Sequence, residues 1–396
     1  MESALPRLDG FRVALVWIGS SEVDGLQPPI LNPPLGIQLL GTLLRRQGAQ
    51  VELFDNRVSR EQLAAEIVAF GPQLCGFSFL STAAHLVTPV AQAVRDAGIV
   101  TVAGGVHATV RAGELLATGA YDSVVTGDGE RALVDLCARR QGGHSLPEQV
   151  AGTPWRVLDE LPAIDRFDVY ADVYGGPDRI RTVSIQISRG CPMNCQFCEL
   201  ARDAGTYALP TAYIGRSPAV VEHELTGYLD RWDATWVVVV DSIATLAHDA
   251  LCAALRVVGE RPATAIQFNA HVNRFQPAVA DALRPLGDRA TVWFGFESGS
   301  DAMLTRLHKA HTAGRALTVG RSALASGAKV GANLLLGVPG ETSEDRAATR
   351  AFVAELVASG VPDQVLPNPN IFNPLPGTPL YAACLADGSI AGDDYR

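Results

Sequence analysis

The sequence predicts an α/β chain in two units: an N-terminal doubly wound, Rossmann-like parallel sheet, followed by a partial, TIM-like (β/α)6 barrel. Three observations carry that expectation. Short apolar runs alternate with helix-period segments from residue 12 to residue 141; residues 146–180 lose the rhythm; and from residue 181 it resumes for about six more strand-helix units. The expected limits are 1–145 for the first domain, 146–180 for a connection and 181–396 for the second domain. With 47% hydrophobic and 19% charged residues over 396 positions, both units can bury a core. A net charge of -10 and the lack of a basic run speak against a nucleic-acid partner. The longest apolar stretches, such as TWVVVV at 235–240, are of strand length and too short to span a bilayer. The opening MESALPRLDG lacks the basic start and apolar core of a secretory signal, so a reducing, cytoplasmic setting is expected.

In the first unit RVALVW is a strand, LGIQLLGTLLRRQGA a helix and VELFD a strand. EQLAAEIVAFG, QLCGFSFL, HLVTPVAQAVRDAG, VTVAGG, AGELLATG, DSVVTG and ERALVDLCARR continue the alternation. Strands separated by helices of this length form a parallel sheet covered on both faces, whose ligands bind at the strand carboxyl ends. Those ends read FDNR, FLSTAAH, AGGVHAT and VTGDGE, rich in small and hydroxyl residues that include Ser81 and Thr82, and Ser78 stands just before the second of them; all three are expected at the cofactor site. Residues 141–180 are rich in Pro and Asp, and Trp155, Tyr170 and Tyr174 are expected to pin this connection to the domain surfaces.

After the connection come TVSIQI, a helix from Pro218 capped by Ser217, TWVVVVD, TAIQFNA, ATVWFGFE, KVGANLLLG and QVLPNPNIF. The barrel's chemistry is expected at the carboxyl ends of these strands. The first of them runs into SRGCPMNCQFCEL, which places three of the chain's seven cysteines, Cys191, Cys195 and Cys198, within eight positions. A structural zinc site would need a fourth ligand, with Cys or His pairs at ligand spacing, and none follows. A cluster of three cannot pair off into disulfides. Three thiolates suit an iron-sulfur centre that keeps one iron open for another ligand. Cys75, Cys137, Cys252 and Cys384 are scattered in apolar or helical contexts and read as buried or incidental thiols.

The Cys191-x-x-x-Cys195-x-x-Cys198 loop, with Phe197 at the aromatic position, resembles the cluster loop of radical S-adenosylmethionine (SAM) enzymes. Further matches follow in order: Asp241-Ser242 after the second barrel strand, Arg274 in FNAHVNRF, Glu297-Ser298 in GFESGS, and Gly337 and Pro339 in GVPGET. The resemblance implies that Cys191, Cys195 and Cys198 hold a 4Fe-4S cluster and that the other residues contact SAM.

The first unit resembles the cobalamin-binding domain that precedes many radical SAM domains. The matching positions are Pro34 and Leu35 opening the first helix, Asp55 ending the second strand, Gly104, Gly105 and His107 after the fourth, and Gly127, Gly129 and Glu130 after the fifth. Gly104 and Gly105 would let backbone approach a bulky corrin tail without a Cβ in the way. His107 alone is a weak signal, and His85 reads as a surface residue. Where mutase-type cobalamin domains carry Asp-x-His, this chain has Asp55-Asn56-Arg57. A guanidinium has no lone pair for cobalt, so the resemblance implies a lower face without a histidine ligand.

Together these resemblances imply a cobalamin-dependent radical SAM methyltransferase, using a 5′-deoxyadenosyl radical and methylcobalamin to methylate an unactivated carbon or phosphorus of a small molecule or short peptide. They also imply an external one-electron reductant of the flavodoxin or ferredoxin type. Two alternatives stand beside this one: a cobalamin-containing radical enzyme for cyclisation, ring contraction or oxidation, and a non-catalytic corrinoid-binding protein.

Overall fold

Apolar runs bounded by turns make strands buried on both faces, and they assemble here into two parallel six-stranded sheets. The structure is a computed structural model of the chain that describes residues 5–19, 33–56, 62–167, 181–200 and 213–391.

The first sheet contains β1 (Arg12–Ile18), β2 (Gln50–Asp55), β3 (Leu74–Phe79), β4 (Val100–Gly104), β5 (Ser123–Thr126) and β6 (Gln149–Ala151), in the order β2-β1-β3-β4-β5-β6. The chain steps from β1 out to β2 and then back across β1 to β3, so the strand order reverses there. A crevice for ligands opens beyond the carboxyl ends at such a reversal. The helix Leu35–Arg46 begins after Pro34, which is extended at φ -70 and ψ 101, and it ends with Arg45 and Arg46 at the negative end of its dipole. One side of this helix puts Ile37 and Leu44 into the core of the first sheet, while Leu39 and Leu43 belong to the core of the barrel. A single amphipathic helix is therefore shared by both domains.

The second sheet contains β7 (Thr182–Ile185) and, after the short antiparallel pair β8 (Ser188–Arg189) and β9 (Ile214–Gly215), β10 (Trp236–Val239), β11 (Ala265–Ala270), β12 (Ala290–Glu297), β13 (Lys329–Leu336) and β14 (Val365–Ile371). Its order, β7-β10-β11-β12-β13-β14, follows the chain without reversal, as a partial barrel requires. Pro367 and Pro369 lie on β14, an edge strand, where a missing N–H costs no ladder bond on the outer side. The helix Pro218–Trp232 is capped as expected, with Val220 N donating to Ser217 Oγ.

The connection departs from its expected irregularity. Its residues 149–151 pair with β5 as a sixth strand, and Trp155, Leu158, Leu161 and Ile164 are buried in the barrel core. Phe167 instead enters the core of the first sheet, against Gly41, where an added Cβ would lie 2.7 Å from its ring. A three-residue edge strand is too short to register as a period, which is why the sequence alone does not show it. Trp155 is pinned as expected, with the Arg131 guanidinium 4.1 Å from its ring centre. Tyr170 and Tyr174 lie outside the described residues.

Candidate functional site

A cavity of about 180 Å³ opens at the strand-order reversal of the first sheet. Its walls are Leu15 and Gly76 on the sheet floor, Gly36 and Leu40 from the first helix, and Leu133 from the helix Glu130–Gln141. Ser78, Gly104, Gly105, Gly127, Gly129 and Glu130, all expected at a cofactor site, line its rim. At Gly104 an added Cβ would meet no protein atom within 4 Å, so the cradle is open because the side chain is missing. Gly105 and Gly127 hold φ at +91 and +77, a left-handed conformation that disfavours any side chain. A mostly apolar slot framed by close backbone fits the nucleotide tail of a corrinoid. Pro34, Leu35, Asp55 and Thr82 are not among the residues that line the slot, and Arg57 lies outside the described residues.

Ser81 and His107 are placed elsewhere. They line a separate cavity beside the helix Ala84–Asp96, together with His85, Thr88 and Glu114. His107 is 2% exposed, its Nδ1 is 3.1 Å from Ser81 Oγ, and burial, assisted by the charge of Arg111, lowers its pKa to about 4. Ser81 Oγ donates to Glu199 Oε1 at 3.1 Å, so the histidine Nδ1 supplies the hydrogen of the other bond.

In the barrel, Cys191, Cys195 and Cys198 converge on a cavity of about 210 Å³ that Phe197, Ser242 and Glu297 also line. No three ligating groups among the described residues are gathered closely enough to bind one metal ion together. Three cysteines lining one cavity suit a cluster, whose corners each take one thiolate. One further feature fits an anionic occupant. Lys309 Nζ is 3.2 Å from Glu297 Oε1 with both side chains about nine-tenths buried. Burial opposes the lysine's charge, but Glu297 and the cysteines outweigh it and raise its pKa. His271, 5% exposed and one of the residues around the cavity, accepts from Asn273 N at Nδ1 and leaves Nε2 buried without a protein hydrogen-bond partner. Its Nε2 therefore carries the hydrogen. Glu297 adopts φ 64 just past a bulge in the pairing of β12 with β13, which turns its carboxylate out of the strand alternation.

The remaining expected SAM contacts are occupied otherwise. Both oxygens of Asp241 are taken by Ile187 N and Ser188 Oγ, at 2.9 and 2.5 Å, so it anchors the stem of the cysteine loop and leaves the cavity wall to Ser242. Burial lifts its pKa to about 6. Ser298 is 1% exposed and bonded to Thr349 Oγ1 and Ser300 N. Arg274 is exposed, and Gly337 N donates to Glu341 Oε2 while Pro339 sits in the same turn; none of the three lines the cavity.

Two residues of SRGCPMNCQFCEL tie it to the first domain. Arg189 donates from Nη1 to Asp128 Oδ2 and from Nη2 to Glu130 Oε1, each at 2.8 Å, and it also lines the glycine-framed slot. Glu199, directly after Cys198, is the acceptor for Ser81. Sequence reasoning assigned no role to Arg189, Asp128, Lys309, His271 or Glu199. One signal was available for Lys309, because the chain has only two lysines, Lys309 and Lys329, among 32 basic residues.

Two family models match separate parts of the chain. The B12 binding domain family matches residues 28–137 and the Radical SAM superfamily matches residues 185–353. The chain carries a B12 binding domain and a radical SAM domain. An uncharacterized methyltransferase of Pyrococcus horikoshii is 27% identical to this B12-binding radical SAM chain over 387 residues, covering 92% of the chain and 81% of the relative. The anaerobic magnesium-protoporphyrin IX monomethyl ester cyclase of Synechocystis is 29% identical over 191 residues, 42% of this chain and 38% of that protein. Among solved structures, the radical SAM methyltransferase TsrM from Kitasatospora setae, with cobalamin and a [4Fe-4S] cluster bound, superposes with a TM-score of 0.73 at 19% identity, over 96% of this chain and 78% of that one. At that identity the likeness establishes the shared fold.

Proposed function

We propose that this protein is a cobalamin-dependent radical SAM methyltransferase that places a methyl group on an unactivated carbon, or phosphorus, of a small molecule or short peptide. The observation that carries this reading is the attachment of the cysteine loop at both ends to loops of the first domain, through Arg189 to Asp128 and Glu130 and through Glu199 to Ser81. A thiol cavity and a corrinoid-shaped slot joined in this way suit a reaction that uses both. When bound, the cluster would supply the electron that cleaves SAM, and the cobalamin would supply the methyl group.

The chain's own residues then have separable tasks. Cys191, Cys195 and Cys198 would hold three corners of the cluster, with Lys309 placing a positive charge beside them. Glu297 and Ser242 are among the polar groups available to SAM at the cavity wall. Asp241 holds the loop stem through Ile187 and Ser188. Gly104, Gly105 and Gly127 keep the slot clear of side chains. An external reductant of flavodoxin or ferredoxin type and a reducing, cytoplasmic setting belong to the same proposal. The absence of any basic run in the sequence favours a substrate other than nucleic acid.

The test is turnover by the anaerobically reconstituted protein with SAM labelled in its methyl group. Label in the product, with S-adenosylhomocysteine and 5′-deoxyadenosine in comparable amounts, is expected. The similarity to the Synechocystis cyclase supports a second reading, a radical cyclisation or oxidation. That reading predicts 5′-deoxyadenosine with an unlabelled product and no S-adenosylhomocysteine.

A further inference from the structure

The buried ions at the domain junction have a purpose that cofactor binding alone does not require. Arg189 is 15% exposed, and the carboxylates it forks between, Asp128 and Glu130, are 8% and 7% exposed. Its Nη2 also reaches Gln186 Oε1 at 3.2 Å. Taking three charges out of water is costly, and well-packed apolar residues usually stabilise such a junction as well or better. What an arginine forked between two carboxylates adds is a fixed geometry.

That geometry lies between the two candidate cofactor sites. Asp128 and Glu130 belong to Gly127-Asp128-Gly129-Glu130, the rim of the corrinoid slot, and Gly127 N is itself held by Thr109 Oγ1 at 2.9 Å. Arg189 stands two residues ahead of Cys191, on the two-residue strand β8, with Gly190 at φ +91 between them. Behind it, Ser188 is fixed by Asp241. The far end of the same loop is held independently, since Glu199 follows Cys198 and accepts from Ser81 at the carboxyl end of β3. Displacement of the slot's rim therefore pulls on the Arg189 end of the segment that carries the three thiols, while its other end is held to the same domain beyond β3.

We infer that Arg189 clamps the cysteine loop to the corrinoid slot, with Glu199 holding the loop's other end to the same domain, so that occupation of either cofactor site tightens binding at the other. This rests on the functional reading above, because it needs both sites. Arg189 acts here as a positioning residue. By linkage the coupling is reciprocal: cobalamin binding is strengthened by the cluster as much as cluster retention is strengthened by cobalamin.

The experiment measures two quantities on the full chain, neither of them turnover. One is the dissociation constant for hydroxocobalamin, by absorbance titration, with the cluster reconstituted and with iron removed by chelation. The other is the rate of iron loss to a chelator with and without cobalamin. In the natural protein the cluster is expected to tighten cobalamin binding by about fivefold or more, the lower end of the range for coupled sites, and cobalamin to slow iron loss. The readout is the ratio of the two dissociation constants, which factors out any change in the slot's own affinity caused by Arg189→Met or Glu130→Gln, and in both of these and in Ser81→Ala most of that ratio should be lost. Glu130→Gln and Ser81→Ala keep Arg189 paired with Asp128, so they decide the matter if Arg189→Met fails to fold. A difference below about twofold in the natural protein would overturn the clamp while leaving the function standing, and so would an undiminished difference in Glu130→Gln and Ser81→Ala. Failure of the natural protein to bind either cofactor would instead remove the functional reading, and the clamp with it.

Discussion

The two cavities of this protein are built on opposite principles. The slot in the first sheet is defined by what is missing, with Gly36, Gly76, Gly104, Gly105, Gly127 and Gly129 presenting backbone where side chains would stand. The barrel cavity is defined by what is present: three thiols, a buried Lys309–Glu297 pair and a histidine with a free ring nitrogen. A bulky, mostly neutral tail is accommodated by space and close backbone approach. A small, charged centre must be compensated by charges and donors held in place. Substitutions should therefore act in opposite directions, with added atoms damaging the first site and deleted atoms the second.

The largest effect is expected from Cys195→Ala. It should abolish the near-visible iron-sulfur absorbance and SAM cleavage together while cobalamin still binds, and surviving cleavage would refute the assignment of the loop. Gly104→Phe is the complementary change. Since nothing surrounds the position within 4 Å, the variant should fold and reconstitute its cluster. Cobalamin affinity should fall by about a hundredfold, roughly 3 kcal/mol at 1.4 kcal/mol per decade. Unchanged affinity in an absorbance titration would place the corrinoid elsewhere.

Lys309→Met leaves Glu297 buried without its ion-pair partner, and breaking such a pair by removing one member costs about 3–5 kcal/mol. Urea unfolding of the cofactor-free protein should show a loss of that order, with Lys309→Arg recovering part of it. A loss below about 1 kcal/mol would mean that the pair behaves as a solvent-screened one. Weakened SAM binding in Lys309→Met, by equilibrium dialysis, would further separate this site from the slot, where cobalamin affinity should hold.

The smallest effect concerns pH and the edge of the first domain. His107 has a pKa of about 4 in the folded protein against 6.5 for the free side chain. A histidine kept neutral by burial contributes stability that is fully present above its unfolded pKa and is lost as pH falls toward the folded one. The stability advantage of the natural protein over His107→Gln should therefore shrink between pH 7 and pH 4, by about 3 kcal/mol over the whole window. A gap that stays constant or widens on acidification would show that the ring is not held neutral.

Most of the fold was readable before any coordinates. Eleven of the twelve strands in the two parallel sheets coincide with segments picked out by the strand-helix alternation; most are apolar runs, because a strand buried on both faces must be apolar along its length, whereas the edge strand β14, VLPNPNI, is largely exposed. The three cysteines and the glycines after β4 and β5 were readable for a similar reason: thiolate spacing and positive φ are local requirements written into residue type. Tertiary structure alone decided what those residues face. Asp241 and Ser298 stand at the strand ends where the family pattern puts SAM contacts, yet Asp241 bonds inward to the loop stem and Ser298 to Thr349, because orientation depends on neighbours distant in sequence. Glu130 and Arg189 are 59 residues apart in the chain and 2.8 Å apart at their nearest atoms. No period or motif links them, since what makes them partners is the packing of one domain's loops against the other's. The chain's own pattern thus determined two sheets and two kinds of site, and only the packed junction determined which residues join them.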